Sequence, residues 1–376
     1  MTRVLVALDS FKGSLDSAGA GAAVRAGVLA ADPAADVRVV QVADGGEGTI
    51  AAVQAGRGGT RVPVDTTDAL GRPRRADLLR LDDGTCVLEA AATLGLPLVG
   101  PVDATVPPRA SSWGLGLQLR RAVEAGAPRV LVGLGGTATT DGGTGLLAAL
   151  GVRLSPPAGP GRNPLWDLES VDAATLPDLS GVELVALTDV TNPLLGPTGA
   201  AAVFGPQKGA TPVQVAHLDE RLAGWAAALR AATGREVDDP GAGAAGGLGA
   251  AVLALGGRIE PGFAAVARES GLDAALAGGV DLVITGEGGL DAQTAHGKAP
   301  AGVARRGRAA GAVVVALAGR VDHPLGPTGD LFDAVLPIHA RPMPLAEALD
   351  PDVTAAGLRR TATQVVRLYR AAAGRR

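Results

Sequence analysis

The lysines are the first residues of this sequence that suggest a chemical role. The 376-residue chain has 34 lysines and arginines, but only three are lysines: Lys12, Lys208 and Lys298. Each falls in, or just after, a polar loop that contains glycine. Since arginine supplies positive charge elsewhere, these positions indicate a need for a compact, mobile ammonium group. Such a group can neutralise a phosphate or a carboxylate that changes position.

Acidic residues also recur where a short apolar run gives way to a polar loop. Seven occupy such positions: Asp9, Asp44, Glu47, Asp141, Asp189, Glu287 and Asp291. Carboxylates gathered in one place repel one another unless they share a cation or face positive charge. Oxygen ligands without a Cys or His cluster favour a hard cation such as Mg²⁺. We therefore expect the acids and lysines to serve a phosphate-bearing ligand and a divalent metal ion.

Two longer loops carry further candidate contacts. Residues 133–145, GLGGTATTDGGTG, could hold a phosphate through backbone N–H groups and the N-terminus of a following helix. Residues 188–210 contain Lys208 and Asn192, one of two asparagines in the chain. A purely structural role is the alternative for each loop, because tight turns need glycine and helix starts favour Ser, Thr or Asp.

Other nucleotide and hydrolase motifs match poorly. Gly133, Gly135 and Ala138 fit a G-x-G-x-x-A dinucleotide fingerprint, but no acidic residue lies near twenty positions on to hold a ribose. Residues 204–210, FGPQKGA, lack the spacing of a Walker A motif and the Ser or Thr after its lysine. No G-x-S-x-G occurs, so serine-hydrolase chemistry has little support.

The elements that must position these loops form an alternating pattern. Apolar runs such as 3–8, 129–133 and 281–286 each lead through a polar loop into an Ala-rich, helix-like stretch. Continuous apolar strands that alternate with helices are typical of buried parallel sheets, so the pattern predicts an α/β fold. Open sheets of this kind bind ligands at the carboxyl ends of their strands, where the polar residues fall.

Composition and charge argue against several other classes. The net charge is −4 with acids and bases interspersed, so we expect neither a nucleic-acid partner nor a membrane partner. The single cysteine, Cys86, cannot form an internal disulfide, which fits a reducing compartment. The N-terminal apolar run is too short for a signal peptide, and the longest run, 311–319, is too short to span a bilayer. We expect a cytoplasmic protein, either a monomer or a homodimer.

Taken together, the motifs resemble the glycerate kinase family in its bacterial, ATP-dependent form. The matching stretches are DSFKGSLDS (9–17), ADGGEGT (43–49), GGTATTDGG (135–143), DVTNPLLGPTGAAAVFGPQKGA (189–210), GAGAAGGLG (241–249) and DLVITGEGGLDAQTAHGKAP (281–300). After about residue 320 the match is thin. Two departures stand out: Thr140 replaces the Asn of the family pattern, and SSWG at 111–114 replaces TTYG or a similar sequence.

The resemblance implies an enzyme of two α/β domains with largely parallel sheets and an active-site cleft between them. One domain would be discontinuous, formed by residues 1–78 and 290–376, with residues 79–289 inserted as the second. The implied reaction transfers the γ-phosphoryl group of ATP to a hydroxyl of D-glycerate with Mg²⁺, and the 2- and 3-phospho products stay open. A non-catalytic small-organic-acid binding protein or regulator on the same scaffold is the alternative, and it would not need the set of carboxylates.

With this interpretation the candidate site residues fall into three groups. The catalytic candidates are Asp189, Lys12 and Asn192. The candidates for binding substrate or phosphate are Ser10, Ser14, Lys208, Lys298, Gly135, Gly136, Thr137 and Gly286. The metal-ligand candidates are Glu287, Asp291 and Asp44. We expect Asp189 to accept the proton of the glycerate hydroxyl rather than to bind the metal, because Glu287 and Asp291 already offer ligands.

Overall fold

The structure is a computed structural model that describes residues 1–292, 294–295 and 297–373. The chain divides into two compact units. Unit 1 consists of Met1–Asp44, Ala51–Arg57 and the chain from Phe263 onward, and unit 2 consists of Gly45–Ile50 and Gly58–Gly262.

Strands and helices alternate along most of the described chain. The strands are β1 (Arg3–Leu8), β2 (Asp36–Val39), β3 (Thr60–Thr67), β4 (Pro73–Arg80), β5 (Cys86–Glu89), β6 (Arg129–Gly133), β7 (Leu154–Ser155), β8 (Ser170–Val171), β9 (Glu183–Leu187), β10 (Arg258–Glu260), β11 (Leu282–Leu290), β12 (Val313–Val321) and β13 (Ala334–Pro337). The helices are α1 (Ser17–Ala31), α2 (Thr49–Arg57), α3 (Ala90–Leu94), α4 (Trp113–Glu124), α5 (Thr144–Ala149), α6 (Ala200–Phe204), α7 (Pro212–Thr233), α8 (Ala244–Ala254), α9 (Gly262–Glu269), α10 (Leu272–Ala277), α11 (Ala299–Ala309), α12 (Leu345–Ala348) and α13 (Pro351–Ala373).

Unit 1 is built on a sheet whose strands follow the order β13-β12-β11-β1-β2, all of them parallel. Successive residues of β1 point to opposite faces, and both faces are apolar. Leu5 and Ala7 belong to one buried cluster, whereas Val4 and Val6 belong to another. This arrangement explains why the strands are continuously apolar, since helices cover the sheet on both sides.

The helix after β1 fixes the end of the first candidate loop. The carboxylate of Asp16 accepts a hydrogen bond from the backbone N–H of Gly19 at 2.7 Å, which caps the N-terminus of α1. Helix α1 packs against α13, and a Cβ added to Gly27 would lie 2.3 Å from the carbonyl oxygen of Arg359. A glycine is therefore required where the two helices cross.

Unit 2 contains a sheet with the strand order β10-β9-β6-β5-β4-β3. Strands β10, β9, β6 and β5 are parallel, whereas β4 runs antiparallel to both β3 and β5. Its core includes Trp225 of α7, which is 1% exposed. The predicted α/β class with largely parallel sheets is confirmed.

The boundaries of the two units differ from the predicted domain boundaries. Predicted junctions at 78/79 and 289/290 fall inside β4 and β11, whereas the observed units change near residues 44/45 and 262/263, with a further excursion at 51–57. Alternation of strand and helix continues through these points, so the pattern does not reveal which strands share a sheet.

None of the helices in the described part of the chain has the length and apolar character needed to cross a membrane. The cytoplasmic location and the monomeric or homodimeric state stay predictions from the sequence.

Candidate active site

A cavity with a volume of about 630 Å³ lies at the carboxyl ends of the unit 1 strands. Its walls come from the loop after β1, from Asp44 after β2, from the ends of β11 and β12, and from the segment after β13. This is the edge at which open parallel sheets bind their ligands. The cavity brings together seven of the predicted site residues: Ser10, Lys12, Ser14, Asp44, Glu287, Asp291 and Lys298.

The loop after β1 is held in shape by its own backbone. The N–H of Phe11 donates to the carbonyl of Leu15 at 2.7 Å, and the N–H of Leu15 donates back to Phe11 at 3.0 Å. Phe11 is 3% exposed and anchors the loop, whereas Lys12 is exposed. At Gly13 the φ angle is +80°, which glycine adopts without strain. The loop therefore presents the Lys12 ammonium group at a tight, fixed turn.

Four of the described carboxyl groups line this cavity, and one of them is strongly perturbed. Asp9 is 8% exposed, and burial, with repulsion from Asp44 and Glu287, raises its pKa to about 7. A hydrogen bond of 2.7 Å from the backbone N–H of Ser10 opposes this rise. Burial also raises the pKa of Glu287. The cavity therefore concentrates negative charge that a cation would stabilise.

Lys298 lies against two of these acids. Its Nζ is 3.6 Å from Oε2 of Glu287 and 3.7 Å from Oδ1 of Asp291. The hydroxyl of Thr294 donates to Oε1 of Glu287 at 2.8 Å, and the backbone N–H of Thr294 donates to Asp291 at 3.1 Å. The two carboxylates are thus held in one turn beside a lysine that is one-third exposed.

The donor set of this cavity fits Mg²⁺ in company with phosphate. Among the residues that the structure describes, no group of three His, Cys, Asp or Glu side chains is placed so that it could hold a metal ion. Mg²⁺ commonly takes only one or two protein carboxylates, with water and phosphate oxygens completing its coordination. Glu287, Asp291 and Asp44 supply such oxygen donors, and their role as metal ligands stays a prediction.

Two other predicted residues of unit 1 have structural partners. The hydroxyl of Ser14 donates to Oγ1 of Thr354 at 2.8 Å, so it ties the loop to α13. Gly286 lies within β11, where an added Cβ would stand 1.9 Å from the carbonyl oxygen of Leu317. Close packing of adjacent strands is therefore enough to require this glycine, and its contact with phosphate stays a prediction.

In unit 2 the remaining predicted residues lie on loops at the carboxyl ends of β6 and β9, except Lys208, which lies in a short 3-10 helix (Pro206–Lys208) after α6. The glycine-rich segment 241–249 packs against both loops. The N–H groups of Gly241 and Gly243 donate to the carbonyl of Asn192 at 3.2 and 3.1 Å. A Cβ added to Gly246 would lie 2.0 Å from the carbonyl oxygen of Thr139. Three motifs that are far apart in sequence therefore form one assembly of closely packed backbone.

Asp189 and Asn192 lie on the loop after β9. Asp189 is half-buried, two residues beyond the end of the strand. Asn192 donates from Nδ2 to the carbonyl of Thr198 at 2.8 Å, which closes the turn. The carboxylate of Asp238 accepts from the N–H of Leu194 at 2.6 Å and holds the same loop. Asn192 thus closes the turn that follows Asp189, whereas the N–H of Val190 donates to Oγ1 of Thr188 at 3.1 Å beside Asp189 itself. The catalytic roles of Asp189 and Asn192 stay predictions.

Lys208, predicted to bind phosphate, lies in the interior of unit 2. It is 4% exposed, and its Nζ donates to the carbonyl of Thr139 at 2.7 Å. Burial lowers the pKa of Lys208 to about 7, against the opposing charge of Asp141. In this position the lysine supports the loop after β6 from beneath, and any contact with phosphate stays a prediction.

Asp141 is fully buried and holds the same loop from its other end. Its carboxylate accepts hydrogen bonds from the backbone N–H and the hydroxyl of Ser112, both at 2.7 Å, and from the N–H groups of Gly143 and Gly145 at 3.1 and 3.2 Å. Burial raises the pKa of Asp141, and these hydrogen bonds oppose the rise. The carboxylate of Asp141 therefore stabilises the loop after β6.

The loop after β6 retains polar groups without partners. The hydroxyl oxygens of Thr137, Thr139 and Thr140 are buried and have no hydrogen-bond partner within the described part of the chain. A buried hydroxyl that lacks a partner costs about 1–3 kcal/mol. Gly135 and Gly136 form backbone hydrogen bonds within unit 2. The N–H of Gly135 donates to the carbonyl of Gly45 at 3.3 Å, and the carbonyl of Gly136 accepts from the N–H of Leu96 at 3.0 Å.

Several cavity residues were not predicted from the sequence. The unit 1 cavity is also lined by Arg320, His339, Met343, Leu345 and Leu349. They come from a part of the chain with no recognised motif. The signal that the sequence offers is a methionine and two leucines within a proline-rich stretch, residues 341–351. His296, which the sequence suggests is a loop residue, lies outside the described residues.

Comparison with known proteins agrees with these motifs. Residues 4–370 match the model of the Glycerate kinase family. The chain is 41% identical to the glycerate kinase of Bacillus subtilis (strain 168) over 327 residues, and this aligned region covers 85% of each protein. It is 38% identical over 332 residues to the glycerate 2-kinase of Escherichia coli (strain K12), covering 86% of this chain and 87% of the relative.

A solved structure is also similar along almost its entire length. A crystal structure from Salmonella typhimurium LT2, which bears the provisional name glycerate kinase 2, superimposes with a TM-score of 0.83. The two chains are 37% identical, and the match covers 99% of each. The chain therefore belongs to the glycerate kinase family, a family of phosphotransferases.

Proposed function

We propose that this protein transfers the γ-phosphoryl group of ATP to a hydroxyl of D-glycerate, with Mg²⁺ as the metal ion. The observation that carries this proposal is the unit 1 cavity, where two lysines and two serines lie among four carboxylates. Phosphoryl transfer depends mainly on positioning and charge neutralisation, which such a set of side chains supplies. Membership of the glycerate kinase family points to the acceptor.

The two cavity lysines have different surroundings and so suit different tasks. Lys12 is exposed at the tip of a fixed loop, where its flexible side chain can follow a phosphoryl group as it moves. Lys298 is restrained by Glu287 and Asp291, so it suits a fixed contact with a phosphate oxygen. Bound Mg²⁺ would neutralise phosphate oxygens beside these acids.

Asp189 is our candidate for the group that accepts the proton of the glycerate hydroxyl. It is half-buried at the carboxyl end of β9, where the N–H of Val190 donates to Oγ1 of Thr188 at 3.1 Å and holds the backbone beside it. A general base must lie within hydrogen-bond reach of the proton it accepts, and the kinetics of Asp189→Asn test this requirement. Asn192 would act by closing the turn that follows, through its hydrogen bond to the carbonyl of Thr198.

We favour the hydroxyl on carbon 2 as the acceptor, which would make the product 2-phosphoglycerate. Support comes from the relative in Escherichia coli, whose name is glycerate 2-kinase and which is 38% identical to this chain. Two residues near the predicted substrate loop depart from the family pattern, Thr140 and Ser112, and both are buried. Their effect on the choice of hydroxyl is tested by the same product analysis.

The experiment is an incubation of the full chain with Mg²⁺, ATP and D-glycerate, followed by phosphorus NMR of the products. We expect ADP and 2-phosphoglycerate in equal amounts. Appearance of 3-phosphoglycerate would retain the kinase activity but overturn the choice of hydroxyl. If D-glycerate binds and no phosphorylated product forms, the non-catalytic binding protein becomes the better explanation.

A further inference from the structure

The cavity of unit 1 is lined by two chemically different sets of side chains. One set, which we call the charged end, consists of the lysines and carboxylates described above. The other set, which we call the apolar end, consists of Phe11, Ile338, Met343, Leu345 and Leu349. A volume of about 630 Å³ lies within the range of sites that take a drug-sized or cofactor-sized ligand. D-glycerate is small and lacks an apolar portion, so its binding does not explain the apolar side chains that line the cavity.

Two of these apolar side chains are unusually exposed. Leu345 is 73% exposed and Leu349 is 37% exposed, and they lie at the two ends of the short helix α12. Met343, just before this helix, lines the same cavity. A single exposed leucine needs no explanation, but apolar side chains grouped along one cavity wall indicate a surface that a ligand covers.

The apolar end is in contact with the loop that carries Lys12. A Cβ added to Gly13 would lie 3.7 Å from Cδ2 of Leu349, which is ordinary van der Waals contact. The hydrogen bond of 2.8 Å between Ser14 and Thr354 ties the same loop to the start of α13. One molecule with an anionic end and a flat apolar end can therefore reach both parts of the cavity.

We propose that the apolar end of this cavity, around Met343, Leu345 and Leu349, is the subsite for the base and sugar of the nucleotide. The proposal rests on the proposed function, because the phosphates of the same nucleotide would occupy the charged end. Leucine and methionine side chains pack well against the faces of a purine, and methionine adapts to its shape. His339, which lines the same cavity, offers a polar group for the edge of the base or the sugar.

The test compares two probes that share a triphosphate but differ in the base. Mg-ATP and Mg-tripolyphosphate are titrated into the full chain by calorimetry, for the wild type and for Leu345→Ala, Leu349→Ala and the double variant. The matched control is Leu368→Ala, because Leu368 of α13 is 74% exposed and does not line the cavity. Circular dichroism checks that each variant is folded, and the largely exposed Leu345 gives a variant that should fold.

We expect the wild type to bind Mg-ATP more tightly than Mg-tripolyphosphate. The double variant should bind Mg-ATP about tenfold more weakly than the wild type, since burial of leucine side chains contributes to binding on that order. Binding of Mg-tripolyphosphate should change less than about twofold, and Leu368→Ala should change neither. The ratio of the two dissociation constants is the decisive readout, because a general loss of structure would weaken both probes.

Two different failures can be told apart. If the wild type phosphorylates D-glycerate with ATP while the leucine variants keep the wild-type ratio, the base subsite is wrong and the proposed function stands. If the wild type binds no Mg-ATP and forms no phosphoglycerate, the proposed function fails and the subsite fails with it.

Discussion

Replacement of Lys208 by methionine should change how the stability of unit 2 depends on pH. Lys208 is 4% exposed and donates to the carbonyl of Thr139, and burial lowers its pKa from 10.5 to about 7. In the unfolded chain the ammonium group is in water and keeps its ordinary pKa. The folded state therefore releases a proton from this side chain at a lower pH than the unfolded state does.

The direction in which the free energy of unfolding changes with pH follows from the number of protons bound in the folded and unfolded states. Between pH 7 and pH 10.5 the unfolded chain holds a proton on Lys208 that the folded chain has mostly lost, so the free energy of unfolding rises with pH. The slope approaches about 1.4 kcal/mol per pH unit, and the folded group is half-protonated near pH 7. From pH 7 to pH 9 the contribution of Lys208 should therefore grow by about 2 kcal/mol. Lys208→Met removes this contribution.

Tryptophan fluorescence can follow unit 2 by itself. The three tryptophans of the chain, Trp113, Trp166 and Trp225, all belong to unit 2. Urea unfolding at pH 7, 8 and 9 gives the free energy of unfolding of the wild type and of Lys208→Met. The control is Lys12→Met, the same chemical change at an exposed lysine of unit 1, which should parallel the wild type.

A difference between wild type and Lys208→Met that stays constant from pH 7 to pH 9 would refute this reasoning. It would mean that Lys208 remains charged in the folded protein, paired electrostatically with the buried Asp141. Loss of the bond to Thr139 lowers the stability of the variant at every pH by about 1–3 kcal/mol, because a buried carbonyl is left without a partner. That constant offset does not alter the slope.

The remaining predictions concern turnover. Lys12→Arg should lower kcat at least tenfold, because a planar guanidinium cannot replace a compact, mobile ammonium group. A tenfold loss corresponds to about 1.4 kcal/mol on the activation barrier. Unchanged kinetics of a folded variant would contradict this. Asp189→Asn should lower turnover about 10²–10⁴-fold at any Mg²⁺ concentration. Recovery of Asp189→Asn at high Mg²⁺ would make Asp189 a metal ligand instead of a base. Excess EDTA should abolish phosphorylation of D-glycerate and added Mg²⁺ or Mn²⁺ should restore it, whereas full turnover without metal would exclude the carboxylates as a metal site.

The architecture was predictable where it depends on local pattern. Apolar runs such as 3–8 and 129–133 are strands of parallel sheets, and the polar residues after them lie at the carboxyl ends. The hairpin of β3 and β4 was not predicted, since an antiparallel edge can be half-exposed and lacks a continuous apolar run. The unit boundaries were missed because they depend on which strands pair.

The site was predictable to the extent that strand ends converge. Lys12, Asp44 and Glu287 come from three distant stretches, and one cavity collects them because β1, β2 and β11 are parallel neighbours. Burial of individual side chains was not predictable in this way. Asp141 also follows a strand, yet it is fully buried and accepts four hydrogen bonds. Two come from the N–H groups of Gly143 and Gly145, and two come from the backbone N–H and the hydroxyl of Ser112.

The two departures from the family pattern meet in this loop. Ser112, within SSWG, donates its backbone N–H and its hydroxyl to Asp141, and its hydroxyl also accepts from the N–H of Leu146 at 2.8 Å. Thr140 is the neighbour of Asp141, and its own hydroxyl has no partner within the described residues. Both substitutions thus fall on the support of the loop after β6, where a change of side chain can shift the predicted substrate contacts without touching the charged cavity.

The three lysines occupy positions with different surroundings, which explain why lysine is found there although arginine supplies positive charge elsewhere in the chain. Lys12 is exposed at a loop tip, Lys298 stands between two carboxylates, and Lys208 is buried against a carbonyl. Arginine could satisfy the second position, but its guanidinium stays protonated in proteins and so cannot lose a proton on burial at the third. At the first position its longer, planar group would not act as a mobile point charge. The proposed role of Lys12 thus favours lysine for its mobility, whereas the buried position of Lys208 favours lysine for its ability to become neutral. These are different physical reasons behind a single pattern in the sequence.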